Sequence, residues 1–435
     1  MRALMFKSSL ELAVVAMLLA VVYGARIDSV PFHPDESQWI AMSFQFEEFL
    51  SCRFASPLWD RAYATILQPP AVCYVIGVGR RMGGYGVADL NKSWQWTQKV
   101  ETNVRNGAMP SPGLLWWSRL PMSLLAVFAV AIGFVLLRES AGRLAGWIWV
   151  VLSAVGPYFL RCFRRAMGEA CLAAGVMVVA FACCRALRAN DRDGRDWNVR
   201  ALLWLTVAGI GAGFAGASKL NGICALAAGL AVAAGMAFRL RRSIGRRLLF
   251  LAVAVVAVAL PATITFVGLN PHLWPDPVGR TLSWFGDQVA VMGDQVRAFP
   301  GSNLDSAAKR LRGIPQRVFP DAAAVGGKAA VIPNALLFAA GVWWMVNGWR
   351  RRRDGEPRAY GLAAIVLVAL ATVPPALLTP LDWERYYLFP VVFATFFTAI
   401  GAGWWITWTR HVSGPWWAAL ARRLRPAQAR VSCGP

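Results

Sequence analysis

Apolar runs of roughly 20 residues recur along the chain, separated by short polar or basic stretches. A helix needs about 20 mainly apolar residues to cross a hydrocarbon layer ~30 Å thick. The runs predict membrane spans at 8–24, 114–137, 144–160, 168–187, 200–217, 221–238, 248–269, 330–348, 359–379 and 386–408. The fold class expected is therefore an all-α polytopic membrane protein with about ten transmembrane helices. Between the fifth and sixth spans, Ser218-Lys219-Leu220-Asn221-Gly222 reads either as a tight turn or as a break within a helix.

Two longer segments interrupt this rhythm, at about 25–113 and 271–329. In the first, Trp39, Met42, Phe46, Phe49 and Leu50 recur at helical spacing, which predicts a helix over 35–50 lying in the membrane interface. A second interfacial helix is expected after Pro70, over Ala71–Met82. Long loops with structure of their own are usually functional. No repeat or low-complexity tract breaks the chain into parts, so residues 1–410 read as one transmembrane domain followed by a tail, 411–435.

Composition agrees with lipid as the solvent. Of the 435 residues, 57% are hydrophobic and only 16% charged, where soluble domains carry about 25% charged residues. The 21 Trp suit interfacial belts, where an indole lies half in lipid and half in water. A net charge of +22 raises nucleic acid as a partner, but the cations fall in short clusters between apolar runs instead of on one soluble face. The bilayer is the expected partner, and nucleic acid is not.

Those clusters also orient the chain. Arg185/Arg188/Arg192/Arg195/Arg200, Arg239/Arg241/Arg242/Arg246/Arg247 and Arg350/Arg351/Arg352/Arg353/Arg358 fall on one side if the helices alternate, with Arg138, Arg143 and the C-terminal arginines. Positive-inside places that side, and both termini, in the cytoplasm of a multi-pass plasma (inner) membrane protein. The first 24 residues also have signal-peptide features, Lys7 before an apolar run and Val22-Tyr23-Gly24-Ala25 as a cleavage site. An uncleaved helix is the favoured reading, because the acidic motif just beyond needs a tether. Most of the eight Cys fall in apolar runs as small hydrophobes, while Cys52 and Cys73 share a predicted external segment where a disulfide could form.

The groups able to do chemistry lie on the other, extracytoplasmic side. His33-Pro34-Asp35-Glu36 sets two adjacent carboxylates at a membrane surface, where desolvation is costly and a functional role is invited. The structural alternative is a capping box with Asp35 as N-cap and Gln38 three residues on. Arg119, Lys219 and Arg385 lie at external helix ends, and Arg161, Arg165 and Glu169, spaced i, i+4, i+8, would share a helix face. Cations there run against positive-inside, and a phosphate at the outer surface supplies a reason. Lipid headgroups or local salt bridges are the bland reading of each alone. Three prolines in Asn270-Pro271-His272-Leu273-Trp274-Pro275-Asp276-Pro277 predict a rigid turn at the lip of the seventh span. His33, Glu169, His272, Asp276 and Tyr386 are candidates for substrate contact. No cofactor is predicted, and with three His in the chain a divalent metal has no supporting cluster.

Seven stretches in order resemble the glycosyltransferase C superfold, and within it the protein O-mannosyltransferases and the bacterial aminoarabinose–lipid A transferases. They are His33-Pro34-Asp35-Glu36, Gln68-Pro69-Pro70, Arg119-Leu120-Pro121, Arg165-Ala166-Met167-Gly168-Glu169, Ser218-Lys219-Leu220-Asn221-Gly222, the Leu-Trp-Pro-Asp-Pro turn at 273–277, and Glu384-Arg385-Tyr386-Tyr387. The resemblance implies a polyprenyl-phosphate sugar donor and an aspartate base in the first external loop, which maps to Asp35. Glu36 would orient the acceptor or tune Asp35, while Arg119, Arg165, Lys219 and Arg385 would hold the donor phosphate. Such an enzyme is expected to invert the sugar carbon. No large soluble C-terminal domain of the kind many relatives have is expected, so acceptor recognition, whether of a protein, glycan or lipid, is expected from the two external loops. The rival reading is a transporter or flippase for a lipid-linked or anionic substrate. A transporter should carry ionisable groups mid-helix and often shows inverted repeats, whereas here the charges gather at helix ends.

Overall fold

A computed structural model describes residues 2–60, 68–193, 198–240, 243–321, 327–351 and 357–424. Arg195, Arg241, Arg242, Arg352, Arg353, Cys433 and tail residues 425–435 lie outside the described residues.

The described residues form helices joined by short turns, with one isolated bridge between Asn303 and Leu381 as the only strand-like pairing among them. Helix α1 (Arg2–Gly24) leads into short helices α2 (Pro34–Met42) and α3 (Gln45–Leu50), then α4 (Ala71–Met82) and α5 (Val100–Arg105). The bundle proper begins with α6 (Pro112–Ser140), α7 (Arg143–Val155), α8 (Pro157–Arg164), α9 (Glu169–Asp193), α10 (Val199–Ser218), α11 (Leu226–Arg239) and α12 (Ile244–Gly268). A second helical loop, α13 (Pro277–Ala298) and α14 (Ala307–Asp321), precedes α15 (Val331–Arg351), α16 (Pro357–Thr372), α17 (Pro374–Leu378) and α18 (Leu388–Leu424). One contiguous buried core runs through these helices from Val15 to Ile400.

Among the described residues, seven helices are long and apolar enough to cross a membrane, and an eighth crossing is available if α7 and α8 are one span bent by 67°. The remaining expected spans are shorter apolar helices, Ser9–Gly24 and Arg358–Thr372. The third span differs from expectation for a local reason. Gly156 is extended and Pro157 starts a new helix, so the continuous run predicted over 144–160 turns a corner. Helix α12 shows why lipid is needed. Its Val256, Leu260 and Ile264, four residues apart, are all more than half exposed, an apolar face too large for water. The chain is a multi-pass membrane protein.

Close packing in the bundle relies on small residues. Gly209 and Gly213, four apart on α10, let its backbone lie against α12, where a Cβ would collide with the carbonyls of Val258 and Ala262.

The helix expected over 35–50 is two helices, divided at Ser43-Phe44. Fully buried Arg80 of α4 holds that turn, donating from Nε to Ser43 Oγ at 2.8 Å and from Nη2 to its carbonyl at 3.0 Å. Helix α4 has the bounds expected of it. At the other end, α18 continues to Leu424, well past the expected tail boundary at 410. Cys52 and Cys73 are both free: Cys52 is exposed, and Cys73 is buried beneath the Trp39 carbonyl.

Candidate active site

Where the chain leaves α1, Pro34 decides the local geometry. A residue before proline is pushed to extended backbone, and proline suits the first helical position. His33 is accordingly extended and becomes the N-cap of α2, with Pro34, Asp35 and Glu36 as the first three helical residues. The expected Asp35–Gln38 box does not form. His33 and Glu36 make it instead: Asp35 N–H donates to His33 Nδ1 at 3.2 Å, and His33 N–H donates to Glu36 Oε2 at 3.0 Å. Neighbouring carboxylates thus part ways.

Glu36 is fully buried and Arg119 is 1% exposed. The two are joined as a fork, Nε to Oε1 and Nη2 to Oε2, each at 2.7 Å. Arg119 Nη1 also donates to the Ile27 and Val30 carbonyls, both at 2.9 Å. Ala166 N–H adds a further bond to Glu36 Oε1 at 2.8 Å. This clamp ties the first loop to α6 and to the α8–α9 break. It also corrects two expectations: Glu36 has no surface left to orient an acceptor, and Arg119 is enclosed away from any phosphate.

Asp35 faces the other way. Its carboxylate is in direct contact with the Arg385 guanidinium, and the two side chains keep 14% and 23% exposure. His33 lies beside them, with Arg165, Arg385, Glu169 and Lys219 close enough to act on its charge. Burial and then Arg165 and Arg385 lower the His33 pKa to about 4. A neutral ring agrees with Nδ1 accepting from the backbone, so His33 is a positioned cap and not an ion-pair partner.

Lys219 takes the tight-turn reading of its motif: the chain folds back, with Gly222 against Ala215 and Gly229 beside Ala208. Lys219 is extended at the end of α10 and is followed by a 3-10 turn, Leu220–Ala225. Its Nζ donates to Glu169 Oε1 at 2.6 Å, and Glu169 Oε2 is buried with no partner among the described residues. Arg165 Nε is in the same condition. Arg161, Arg165 and Glu169 do not share a helix face, because α8 stops at Arg164 and Arg165 is extended. Arg161 instead pairs with Glu384.

The Arg385 segment is fixed by the second loop. Leu304 N–H donates to the Pro380 carbonyl at 2.7 Å, and Asp382 N–H to the Ser302 carbonyl at 2.8 Å. Arg317 of α14 grips Asp382 at 2.8 and 3.1 Å. Burial alone would raise the Asp382 pKa; bonds from Arg317 and Tyr387 outweigh it and hold the carboxyl below its ordinary value.

The proline-rich turn forms as expected, and its polar residues make local contacts. His272 Nδ1 lies 2.6 Å from Asp60 Oδ1, and Arg280 Nη1 lies 3.0 Å from the same oxygen, latching the second loop to the first. Asp276 caps α13 through a 2.9 Å bond from Gly279 N–H. The structure therefore brings together His33, Asp35, Arg165, Glu169, Lys219, Arg385 and Tyr386; Glu36 and Arg119 are enclosed with each other, and His272 and Asp276 contact Asp60 and Gly279. Sequence reasoning missed the aromatic wall beside Arg385: its guanidinium lies 4.7 Å from the Trp383 ring and 5.6 Å from Tyr386. Tryptophans in external loops were the available signal. Among the described residues, no three His, Cys, Asp or Glu side chains are grouped to hold a metal ion.

The family model for dolichyl-phosphate-mannose-protein mannosyltransferase matches residues 39–275. No curated protein matches the chain. Among solved structures, ArnT from Cupriavidus metallidurans bound to undecaprenyl phosphate is similar at TM-score 0.52 and 16% identity, over 91% of this chain and 60% of that one. The Archaeoglobus fulgidus oligosaccharyltransferase in complex with Zn and sulfate has TM-score 0.48 and 14% identity, over 94% of this chain and 51% of that one. The S. cerevisiae protein O-mannosyltransferase Pmt1-Pmt2 complex bound to the sugar donor has TM-score 0.43 and 15% identity, over 60% and 33%. The chain thus spans between a third and three fifths of the length of these solved chains. The ArnT likeness is one of fold.

Proposed function

The chain belongs to the dolichyl-phosphate-mannose-protein mannosyltransferase family, and on that premise we propose that it is an inverting membrane glycosyltransferase using a polyprenyl-phosphate sugar. The two loops, 25–113 and 271–329, form its active end on the extracytoplasmic face, with both termini in the cytoplasm. The observation that carries this reading is the partly exposed Asp35–Arg385 contact, with Arg165 and Lys219 nearby, set on the rigid Glu36–Arg119 clamp.

Asp35 accepts the proton of an acceptor hydroxyl as that oxygen attacks the anomeric carbon. The bond from that carbon to the phosphate oxygen breaks, and its electron pair leaves with polyprenyl phosphate. Arg385, Arg165 and Lys219 receive the charge developing on that phosphate. The leaving group departs as a stable anion, so no second carboxylic acid has to protonate it, unlike in glycosidases. A single displacement inverts the sugar carbon. His33 fixes the Asp35 backbone, Glu169 orients Lys219, and Tyr386 lines the approach. Ionisable groups at helix ends favour this over transport.

The test is release of polyprenyl phosphate from a polyprenyl-phosphate mannose by purified protein in lipid nanodiscs. Wild type should release it, and Asp35→Asn should lower the rate by about 10²–10⁴-fold with an unchanged melting temperature. Undiminished release by the variant removes Asp35 from the base role.

A further inference from the structure

Four aromatic side chains from three distant segments form a continuous ladder that ends on the proposed catalytic carboxylate. Trp96 of the first loop meets Phe299 of the second with ring centroids 6.4 Å apart. Phe299 meets Trp383 at 5.5 Å, and Trp383 stacks on Tyr386 at 5.6 Å. Arg385 lies over both last rings and touches Asp35. From this juxtaposition we infer that the ladder is the acceptor subsite, and that the acceptor is a carbohydrate whose pyranose rings lie against these faces. The inference rests on the transferase reading above and names the acceptor class for it.

The outer two rings of the ladder are exposed, while Trp383 and Tyr386 are half-buried. Trp96 is 53% exposed and Phe299 36%. Both rings stand outside the apolar spans. Contacts at 87° and 75° set Trp96, Phe299 and Trp383 edge to face, so the Trp96 and Phe299 faces are not covered in the way that parallel stacking and Arg385 cover those of Trp383 and Tyr386. An aromatic face is electron-rich and draws the partly positive edges of a partner. The C–H face of a sugar ring provides such edges while its hydroxyls remain in water.

The wall is also held in place before a ligand arrives. Asn103 clasps the main chain before Trp96, accepting from Gln95 N–H at 2.8 Å and donating to its carbonyl at 2.9 Å. The Asn303–Leu381 bridge and the neighbouring bonds tie the Phe299 turn to the Trp383 segment. Pre-organised aromatics bind with little loss of conformational freedom. A peptide acceptor is the weaker fit. Extended peptides are commonly read by an open strand edge, and among the described residues the only strand-like pairing already joins Asn303 to Leu381.

Saturation-transfer difference NMR on the protein in nanodiscs, with mannohexaose and cellohexaose as probes, tests this without donor or turnover. Wild type should transfer saturation to the ring C–H protons of at least one probe. Trp96→Ala and Phe299→Ala should each reduce that signal at least fivefold, while melting temperatures stay unchanged. Absence of signal from both probes, an undiminished signal in both variants, or displacement of either hexasaccharide by a Ser/Thr-rich peptide at equal concentration would overturn the proposal. Sugar binding without polyprenyl phosphate release would instead sink the transferase reading and spare the ladder. Release without sugar binding would do the reverse.

Discussion

Glu36 and Asp35 are adjacent in sequence, and the regions around them are built on opposite principles. Around Glu36 every partner is close, buried and mutually saturated: Arg119, the His33 and Ala166 amides, and behind Arg119 two carbonyls. Around Asp35 charges are partly open, and Arg165 Nε and Glu169 Oε2 have no partner among the described residues. The first region fixes geometry; the second is left able to respond to a substrate. One proline separates these roles, by making His33 the cap and turning the third helical position inward.

Breaking the enclosed region should have the largest effect. Arg119→Ala leaves the Glu36 carboxylate buried without its countercharge, a loss on the order of 3–5 kcal/mol, visible as a large fall in melting temperature in detergent. A small shift would show that the clamp is not what holds the first loop.

A smaller effect belongs to His33. Its folded pKa, about 4, lies below the ordinary 6.5, so as pH falls the unfolded chain takes up the proton first. The stability tied to this group is present above about 6.5 and is lost as pH falls toward 4. His33→Asn keeps a capping side chain and should flatten the fall of melting temperature between pH 7 and 4.5. Equal slopes in both proteins would refute the assignment.

The smallest effect is expected at the Asp60 latch. Burial alone would raise the Asp60 pKa; His272 and Arg280 outweigh it and keep the carboxyl below its usual value. Yet Asp60 is half exposed. Asp60→Asn should therefore cost under about 1 kcal/mol, and high salt should narrow its stability difference from wild type. A gap that persists in high salt would mean the latch works by something other than charge.

How far this contrast can be read from sequence depends on the distance between the parts. Spans such as 248–269 are legible because lipid demands long apolar runs and leaves few alternatives. Asp35 stands out because an acidic pair at a membrane surface needs a reason. The separate fate of Glu36 was hidden, since its partner Arg119 lies 83 positions away. The periodic reading of Arg161, Arg165 and Glu169 failed because it assumed an unbroken helix where Arg165 is extended. Trp96 and Trp383 show as tryptophans in external loops, but nothing in the sequence links them to each other or to Phe299; only the tertiary fold gathers them.

The enclosed ion pair also bears on how the molecule assembles. Neither Glu36 nor Arg119 can leave water alone without a penalty of several kcal/mol. Residues 27–36 must therefore settle onto α6 together with the α8–α9 corner, which supplies the Ala166 amide. That end of the bundle should close in one cooperative event, so partly matured chains would carry either both charges hydrated or the whole surface formed.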